Sequence, residues 1–410
     1  MRVVIAIIVP LLLLGAVQAQ EWPTFGHDAQ RTGYTDSPAS TPATDEIAWI
    51  FDADGGLSSP VVDGYKVFVG SEKGYLYAIN VFNGRDIWKF KAGGEVSSPT
   101  VAGGRVYFGS HDNSVYCLRA DNGKEIWSYS TGGPIYSSPA VVDNVVFIAS
   151  FDNHVYALDA HENTKLWEFQ STYVIMSSPA VAENRVYIGL RRVMGSEGWS
   201  VVSLDNGNLA WEFQTGGHIE STPAVVENRV YVGSDDNYVY CLDARDNVDN
   251  RVIWQFKTGG QVRSAPAVAD NVIFVGSNDG FVYAINADGE EVWKRKTDGA
   301  IVSSPAAADN MVFVASSDGY LYALNAANSE IAWKRYIGNT GRASPAIAYG
   351  KVFIGTEDGK LYCFGSWGQV KGGDIGKGFI YLFIAALLIL TLWGLTRLKP
   401  PRPKRVRKKK

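Results

Sequence analysis

Apolar and polar positions alternate in short runs along most of this chain, and the same set of runs returns about every 40 residues. The unit at residues 93–129 reads GGEVSSPTVAGGRVYFGSHDNSVYCLRADNGKEIWSY. It holds four strand signals, namely VSSPTVA, RVYFGS, SVYCLRA and EIWSY, with Asp-Asn between the second and the third. Alternation predicts half-buried strands, and Asp-Asn or Asp-Gly pairs favour tight hairpin turns. Each unit therefore predicts a four-stranded antiparallel sheet.

Two markers recur eight times each and count the units. A tryptophan closes each unit, and a proline preceded by a small residue opens it. The tryptophans are Trp49, Trp88, Trp127, Trp167, Trp211, Trp254, Trp293 and Trp333, and the prolines are Pro60, Pro99, Pro139, Pro179, Pro223, Pro266, Pro305 and Pro345. Eight sheets of four strands predict an all-β, eight-bladed β-propeller over residues 46–365.

The order of the markers predicts how the ring closes. Trp49 precedes the first marker proline, whereas the last unit ends after KLYCF without its tryptophan strand. We therefore expect the strand around residues 47–51 to complete the last blade and to protect its edge. The repeated tryptophan is interpreted as a wedge between neighbouring blades, not as a platform for a cofactor.

The N-terminus carries a targeting signal. Residues 1–19 hold one arginine, an apolar run and small residues before Gln20, which is typical of a cleaved secretory signal peptide. An uncleaved N-terminal anchor is the alternative. Residues 20–45 are interpreted as a lead-in and linker, in which residues 22–34 pack along the propeller.

A second apolar run predicts a transmembrane helix near the C-terminus. Residues 379–396 hold no charged side chain over about 27 Å of helix, close to the thickness of a bilayer core. Nine of the 14 residues at 397–410 are Lys or Arg, which predicts a cytoplasmic tail. Residues 366–378 are rich in glycine and predict a flexible tether. The pattern indicates a single-pass membrane protein with its propeller at the cell surface.

Charge narrows the class of partner. Without Arg2 and the nine cations of the tail, 28 cations remain against 42 acids, so the rest of the chain carries a net charge near −14. A surface this acidic disfavours a nucleic acid as partner.

The repeats resemble those of the pyrroloquinoline-quinone (PQQ) propeller superfamily. The resemblance lies in motifs such as LRADNGKEIW and AINVFNGRDIW, and in the lead-in EWPTFGHDAQRTGY. It implies either a quinoprotein dehydrogenase, which binds PQQ and calcium, or a cofactor-free binding propeller. Cofactor-free members assist outer-membrane protein assembly in bacteria or decorate archaeal surfaces. The bacterial assembly lipoprotein would need a lipidated cysteine near the cleavage site, and this chain has none there.

The three cysteines disfavour the enzyme branch. The resemblance implies adjacent cysteines over the quinone, but Cys117, Cys241 and Cys363 occupy one slot in blades 2, 5 and 8. Blades so far apart cannot bring two Cα atoms within the roughly 7 Å that a disulfide needs, so we expect free, buried thiols. The five histidines show no metal-ligand spacing, and turn chemistry explains the hairpin aspartates without calcium. We predict no bound cofactor and no catalytic or metal-binding residue.

Two variable places are candidate binding sites. Three residues before each marker proline the repeats differ, with Leu57, Val96, Tyr136, Met176, Glu220, Arg263, Val302 and Arg342. We expect these side chains at the mouth of the central channel, either as a binding rim or as a solvated rim with one ion pair between Glu220 and Arg263.

The second place is blade 4, whose second hairpin is longer than its siblings. It carries Arg191, Arg192, Met194 and Trp199. Tryptophan beside arginine is typical of protein-interaction sites, and we expect this loop on the same face as the rim. The alternative is that Trp199 folds back onto blade 4.

These observations predict a membrane-tethered propeller that binds or scaffolds a protein or a small extracellular ligand. The alternatives are a PQQ-dependent oxidoreductase and the sensor subunit of a membrane complex.

Overall fold

A computed structural model describes residues 21–35, 42–191 and 199–365. Every regular element in these ranges is a β-strand. Two strands precede the first blade, namely β1 (Tyr34–Thr35) and β2 (Ile47–Asp52). The predicted signal peptide, the predicted tether, the apolar run at 379–396, the basic segment at 397–410 and Arg192 lie outside the described residues. Within the described part of the chain, no helix is long and apolar enough to cross a membrane.

The remaining strands form eight blades in chain order. Blade 1 holds β3 (Val61–Asp63), β4 (Lys66–Gly70), β5 (Tyr75–Asn80) and β6 (Asp86–Lys91). Blade 2 holds β7 (Thr100–Ala102), β8 (Arg105–Gly109), β9 (Ser114–Arg119) and β10 (Glu125–Ser130). Blade 3 holds β11 (Ala140–Val142), β12 (Val145–Ala149), β13 (His154–Asp159) and β14 (Lys165–Gln170). Blade 4 holds β15 (Ala180–Ala182), β16 (Arg185–Leu190), β17 (Trp199–Asp205) and β18 (Asn208–Thr215).

The second half of the ring repeats this order. Blade 5 holds β19 (Ala224–Val226), β20 (Arg229–Gly233), β21 (Tyr238–Asp243) and β22 (Val252–Lys257). Blade 6 holds β23 (Ala267–Ala269), β24 (Val272–Gly276), β25 (Phe281–Asn286) and β26 (Glu291–Lys296). Blade 7 holds β27 (Ala306–Ala308), β28 (Met311–Ala315), β29 (Tyr320–Asn325) and β30 (Ile331–Tyr336). Blade 8 holds β31 (Ala346–Ala348), β32 (Lys351–Gly355) and β33 (Lys360–Phe364), with β2 as its outer strand.

The predicted closure of the ring is confirmed. Strand β2 pairs antiparallel with β33, so that Trp49 lies opposite Cys363. The Ser344 amide also donates to the Ser59 hydroxyl at 2.9 Å, which joins blade 8 to blade 1 near the channel. The first and last strands of the propeller therefore belong to one sheet.

The innermost strands are shorter than the sequence predicts, because each begins after its marker proline. In blade 3 the Ser137 hydroxyl donates to the Ala149 carbonyl and accepts from the Ala149 amide, and so replaces backbone pairing. One residue further on, serine or threonine hydroxyls accept amide hydrogen bonds from the preceding blade. These inter-blade bonds join residues 59 to 98, 138 to 178, 178 to 222, 265 to 304, 304 to 344 and 344 to 59. The small residue before each marker proline thus holds neighbouring blades together.

The tryptophans wedge between blades as predicted. Seven indole N–H groups donate to a carbonyl at 2.8 to 3.2 Å, in six cases to the next blade and in the seventh to Pro42. The Trp88 ring lies so close to Gly123 that a Cβ there would come within 2.5 Å of it. The burial of these large rings stabilises each blade junction.

The propeller has two faces. The mouth face carries the turns between second and third strands, and the exit face carries the turns between first and second and between third and fourth strands. The described chain begins and ends on the exit face. There Glu21 accepts a hydrogen bond from the Gly64 amide, and the Gly365 carbonyl accepts one from Lys351.

The lead-in lies inside the ring and fills the exit end of the channel. Its carbonyls and amides bond to the innermost strands of six blades, always two residues after the marker proline. The partners on the blades are Val62, Val101, Val181, Val225, Val268 and Ala307. Strand β1 pairs in parallel with β27 as a fifth strand of blade 7. The lead-in therefore covers inner strand edges that would otherwise face the channel.

Arg31 fixes the lead-in to blades 3 and 4. Its guanidinium donates to the carbonyls of Ser138 (3.1 Å), Pro139 (2.8 Å) and Pro179 (3.1 Å), and within the lead-in to the Thr24 hydroxyl (2.6 Å) and the Phe25 carbonyl. All five guanidinium donors have a partner. Burial lowers the pKa of Arg31 to about 9, against the opposing charge of Asp28, so the side chain stays charged at neutral pH.

Candidate binding site at the channel mouth

The channel mouth is built from two variable positions of each repeat. The first lies just before the marker proline, as predicted. The second is the residue before the aspartate of the hairpin between second and third strands, for example Asp235 in the tip SDDN. The aspartate itself is structural, because the Asp236 carboxylate accepts from the amides of Gly216 and Tyr238 and from the Tyr240 hydroxyl. The residue before it makes none of these bonds and differs between most blades.

Glu220 is the centre of an ionic cluster at this mouth. Its carboxylate accepts from Arg191 of blade 4 at 3.0 Å and from Arg342 of blade 8 at 2.9 Å. The Nε atom of Arg263 of blade 6 lies 3.9 Å from it. Only 4% of the Glu220 side chain is exposed, because three arginines surround it. The structure thus brings together four of the rim and loop residues that the sequence singles out.

The cluster crosses the channel. Glu220 belongs to blade 5 and Arg342 to blade 8, three blades further round the ring. Their contact requires both side chains to point toward the channel axis, which agrees with the predicted orientation of the rim. The predicted interaction of Glu220 with Arg263 is a weaker contact than the pair of hydrogen bonds, 2.9 and 2.8 Å long, between Arg263 and Asp235.

Charge in the cluster is unbalanced toward positive. Arg191, Arg263 and Arg342 face two carboxylates, those of Glu220 and Asp235. Hydrogen bonding to Asp235 raises the pKa of Arg263. Beside them, burial and then the charge of Arg191 lower the pKa of His218, so this imidazole is neutral at pH 7. The Arg342 side chain is 62% exposed and donates one hydrogen bond, to Glu220, within the described residues. Most of its N–H groups are therefore open to solvent.

An aromatic wall lies at the mouth in blades 2 and 3, directly before blade 4 with its Arg191. The ring of Tyr136, which is 45% exposed, packs 4.1 Å from the His111 ring and 5.5 Å from Phe151. His111 in turn lies 3.3 Å from the Glu95 carboxylate, whose pKa burial raises. The wall offers an apolar surface next to the cationic cluster.

Blade 4 contributes to the mouth through Arg191, which also contacts the Met176 sulfur at 3.0 Å. Trp199 starts strand β17 and is half-buried. Its ring packs edge-on against His218 at 5.3 Å, and its buried indole N–H has no hydrogen-bond partner in the structure. The residue that the sequence places on an exposed loop therefore lies against the entry to blade 5.

The predicted placement of two residues on the rim is wrong. Leu57 and Val96 are 7% and 1% exposed and pack between blades, where blades 3 to 7 place an isoleucine or valine. Blades 1 and 2 have one residue fewer before the proline than blade 3, as GGEVSSP and GGPIYSSP show. A shift of one residue moves a side chain from the channel to the blade interior.

Comparison with known proteins gives the family. The model of the family described as "Outer membrane protein assembly factor BamB" matches residues 38–116, 99–197, 171–248 and 246–371, which together cover most of the chain. The chain belongs to this family of PQQ-type propellers. None of the curated proteins compared with it is a significant match.

Solved structures share the fold of this BamB-family propeller at low identity. BamB from Moraxella catarrhalis aligns with a TM-score of 0.65 and 17% identity over 79% of this chain and 98% of that one. The quinohemoprotein alcohol dehydrogenase from Comamonas testosteroni aligns with a TM-score of 0.69 and 16% identity over 87% of this chain and 82% of that one. The computationally designed Ika8 protein aligns with a TM-score of 0.69 and 17% identity over 79% of this chain and all of that one. At these identities the likeness shows the fold alone.

The mouth does not fit the calcium and quinone pair of the dehydrogenases. The two carboxylates of the ionic cluster, Glu220 and Asp235, already face arginines, whose charges would repel a calcium ion. No group of three His, Cys, Asp or Glu residues placed to hold a metal occurs in the described ranges. Binding without a cofactor stays a prediction for this BamB-family propeller.

The cysteines lie where the sequence places them. Cys117, Cys241 and Cys363 are fully buried free thiols. Burial raises the pKa of Cys117 to about 11, that of Cys241 to about 12, and that of Cys363 further still. Thiols so far from ionisation are poor nucleophiles at neutral pH.

Proposed function

We propose that this chain is a membrane-tethered propeller at the cell surface, which binds a protein segment at its channel mouth and scaffolds it there. The observation that carries the proposal is the contrast within the channel. The lead-in occupies the exit end, and the mouth presents three arginines around Glu220 together with an aromatic wall. We infer that a ligand docks at the mouth and is held there.

The chemistry of the mouth selects the ligand. Exposed guanidinium groups bind carboxylates through paired hydrogen bonds, and a neighbouring aromatic surface accepts apolar side chains. We infer an extracellular protein segment in which Asp or Glu stands next to an aromatic or aliphatic residue. Family membership supports a protein ligand, since the family is described by an assembly factor.

Membrane tethering rests on the apolar run at 379–396 and the basic tail after it. We propose that these hold the propeller outside the cell and the tail in the cytoplasm.

Peptide arrays test the ligand. The purified full-length chain is applied to peptides that pair Asp or Glu with Phe, Leu or Tyr, and to matched peptides with Asn or Gln in place of the acid. We expect binding to the acidic peptides only, and at least a tenfold loss in Arg191→Gln/Arg342→Gln. Arg245→Gln is the control, because Arg245 pairs with Asp243 on the exit face and its loss leaves the mouth intact.

The loop of blade 4 is tested separately. Capture of a cell-surface partner by the wild-type chain is compared with capture by Arg191→Ala/Arg192→Ala/Trp199→Ala. Unchanged capture would show that the loop is not part of the binding site. In the peptide array, equal binding to acidic and amide peptides would contradict the proposed carboxylate ligand.

Reconstitution with PQQ and calcium tests the oxidoreductase alternative. A quinone absorbance band together with dye reduction would replace the binding proposal by oxidoreductase chemistry.

A further inference from the structure

Three aromatic side chains cluster on the exit face, at the junction of blades 8 and 1. The Tyr65 ring lies 5.3 Å from Phe82 and 6.4 Å from Tyr349, and Phe82 lies 6.4 Å from Tyr349. Tyr65 is 60% exposed and Phe82 is 38% exposed. We call Tyr65, Phe82 and Tyr349 the exit-face triad. Its rings pack on one another, with Tyr65 and Phe82 exposed and Tyr349 partly buried against the core.

The triad departs from the pattern of the repeat. Its members occupy tight turns in which the other blades carry small or polar residues. At the position of Tyr349 five blades carry an acid, namely Asp143, Glu183, Glu227, Asp270 and Asp309. At the position of Tyr65 the other blades carry Asn or Gly. On the exit face, the turns between first and second strands thus carry an acid in blades 3 to 7, whereas blades 8 and 1 carry aromatic residues there.

The triad is held in place by the backbone. The Tyr349 hydroxyl donates to the Gly64 carbonyl at 2.6 Å, which ties the turn of blade 8 to that of blade 1. Tyr349 has φ 54°, a left-handed conformation that a bulky residue rarely adopts. The rings are therefore presented in a fixed arrangement, and a ligand that covers them loses little side-chain freedom.

Both ends of the described propeller lie beside the triad. Glu21 accepts from the Gly64 amide, directly before Tyr65. Gly365 bonds to Lys351, two residues after Tyr349. The predicted membrane span starts after 13 further residues, 366–378, which as a Gly-rich coil extend about 20 Å on average and about 45 Å at most. The chain's own connectivity therefore keeps a bilayer within reach of this face.

We propose that the exit-face triad inserts into the interfacial layer of the lipid bilayer. Tyrosine side chains favour this layer, because the ring is apolar and the hydroxyl can stay hydrated. The Phe ring adds apolar area that lipid can cover. The acids of blades 3 to 7 stay in water, so the propeller docks on one edge and its mouth faces away from the membrane. The inference rests on the proposed membrane tether. Glu21 and Asp63 lie beside the triad, so docking depends on apolar burial and is insensitive to salt.

Lipid quenching tests the docking. The full-length chain with Asn83→Cys is labelled with an environment-sensitive dye and reconstituted into zwitterionic lipid vesicles that contain a headgroup-proximal quencher. Asn83 is the exposed neighbour of Phe82, and the native thiols are buried. We expect strong quenching at this position, unchanged between low and high salt. The same dye on Ser317→Cys, at the tip of a mouth-face hairpin, stays unquenched.

Two variants separate the triad from general hydrophobicity. Tyr65→Ser/Phe82→Ser should reduce the quenching at least threefold, whereas Leu166→Ser should not change it. Leu166 is 51% exposed on the outer strand of blade 3, far from the triad. Equal quenching in the double variant and the wild type overturns the proposal.

The remaining outcomes are distinct. A chain that fails to float with vesicles contradicts the tether and therefore the proposed function. A chain that floats while its dye at position 83 stays unquenched contradicts the docking alone. Energy transfer between labelled copies that Tyr65→Ser/Phe82→Ser abolishes would assign the triad to a second copy of the chain and overturn the lipid proposal.

Discussion

The two ends of the central channel are lined by the same repeated strand but differ in how their polar groups are satisfied. At the exit end, the lead-in bonds to six innermost strands, and the buried Arg31 has a partner for each donor. At the mouth, Arg342 is 62% exposed and makes one contact with Glu220. A buried, fully bonded cation stabilises a fold, whereas an exposed and partly bonded one can exchange its partner for a ligand. An arginine is thus structural at the exit end, as Arg31, and available for recognition at the mouth, as Arg342.

The largest test of this contrast is Arg31→Ala. The substitution removes the side-chain donor from the buried carbonyls of Ser138 and Pro179, leaves Pro139 with the Thr100 hydroxyl alone, and weakens the attachment of the lead-in to blades 3 and 4. We expect a loss of about 3 kcal/mol or more in the free energy of unfolding, measured by denaturant titration. Arg31→Lys keeps the charge with fewer donors and should fall between this variant and the wild type. An unfolding midpoint equal to that of the wild type would contradict the structural assignment of Arg31.

A smaller effect is expected from alkaline pH, which acts on the hairpins beneath the mouth. Burial, followed by a hydrogen bond to Asp112, raises the pKa of Tyr116 to about 12, and four other tyrosines bonded to hairpin aspartates are raised in the same direction. A raised pKa in the folded state means that stability is complete below about pH 10 and is lost as pH rises through 12. Unfolding free energies between pH 8 and 12 should show this decline, with a shallower slope in Tyr116→Phe. A flat profile over that range would contradict it.

The smallest effect on stability is expected from Glu220→Gln at the mouth. Arg263 keeps its two bonds to Asp235, and Arg191 and Arg342 can turn to solvent. We expect a change within about 1 kcal/mol in the free energy of unfolding, with altered binding of acidic peptides. If this variant loses as much stability as Arg31→Ala, the cluster holds the ring together and the contrast between the two ends fails.

The fold could be predicted from the sequence because its signals are local and repeated. The Asp-Asn and Asp-Gly turns, the marker prolines and the tryptophans each act within one blade or on the next. Eight copies average out single departures such as the longer hairpin of blade 4. Closure could be predicted for the same reason, since Trp49 is one tryptophan strand without a blade before it.

The site could be predicted only in part. Glu220, Arg263 and Arg342 reach the mouth because the repeats differ there, but Leu57 and Val96 were misplaced by a one-residue deletion that the proline spacing hides. Asp235 was missed, although its signal is present in the residue before the hairpin aspartate, which differs between most blades. No periodicity marks Arg31, because its partners on the blades are backbone carbonyls more than 100 positions away.

The sheet that closes the ring has a consequence for how the protein matures. Its outer strand is among the first parts of the propeller to be synthesised and its other strands are the last, so Ser344 meets Ser59 across 285 positions of sequence. Contacts this distant form slowly, since a long loop must close before any of them stabilises the chain. During that interval the edge of β33 in blade 8 stands unpaired, and the nascent polypeptide is exposed to proteases and to association with its neighbours. The rate at which blade 8 captures residues 47–52 should therefore set the yield of mature protein.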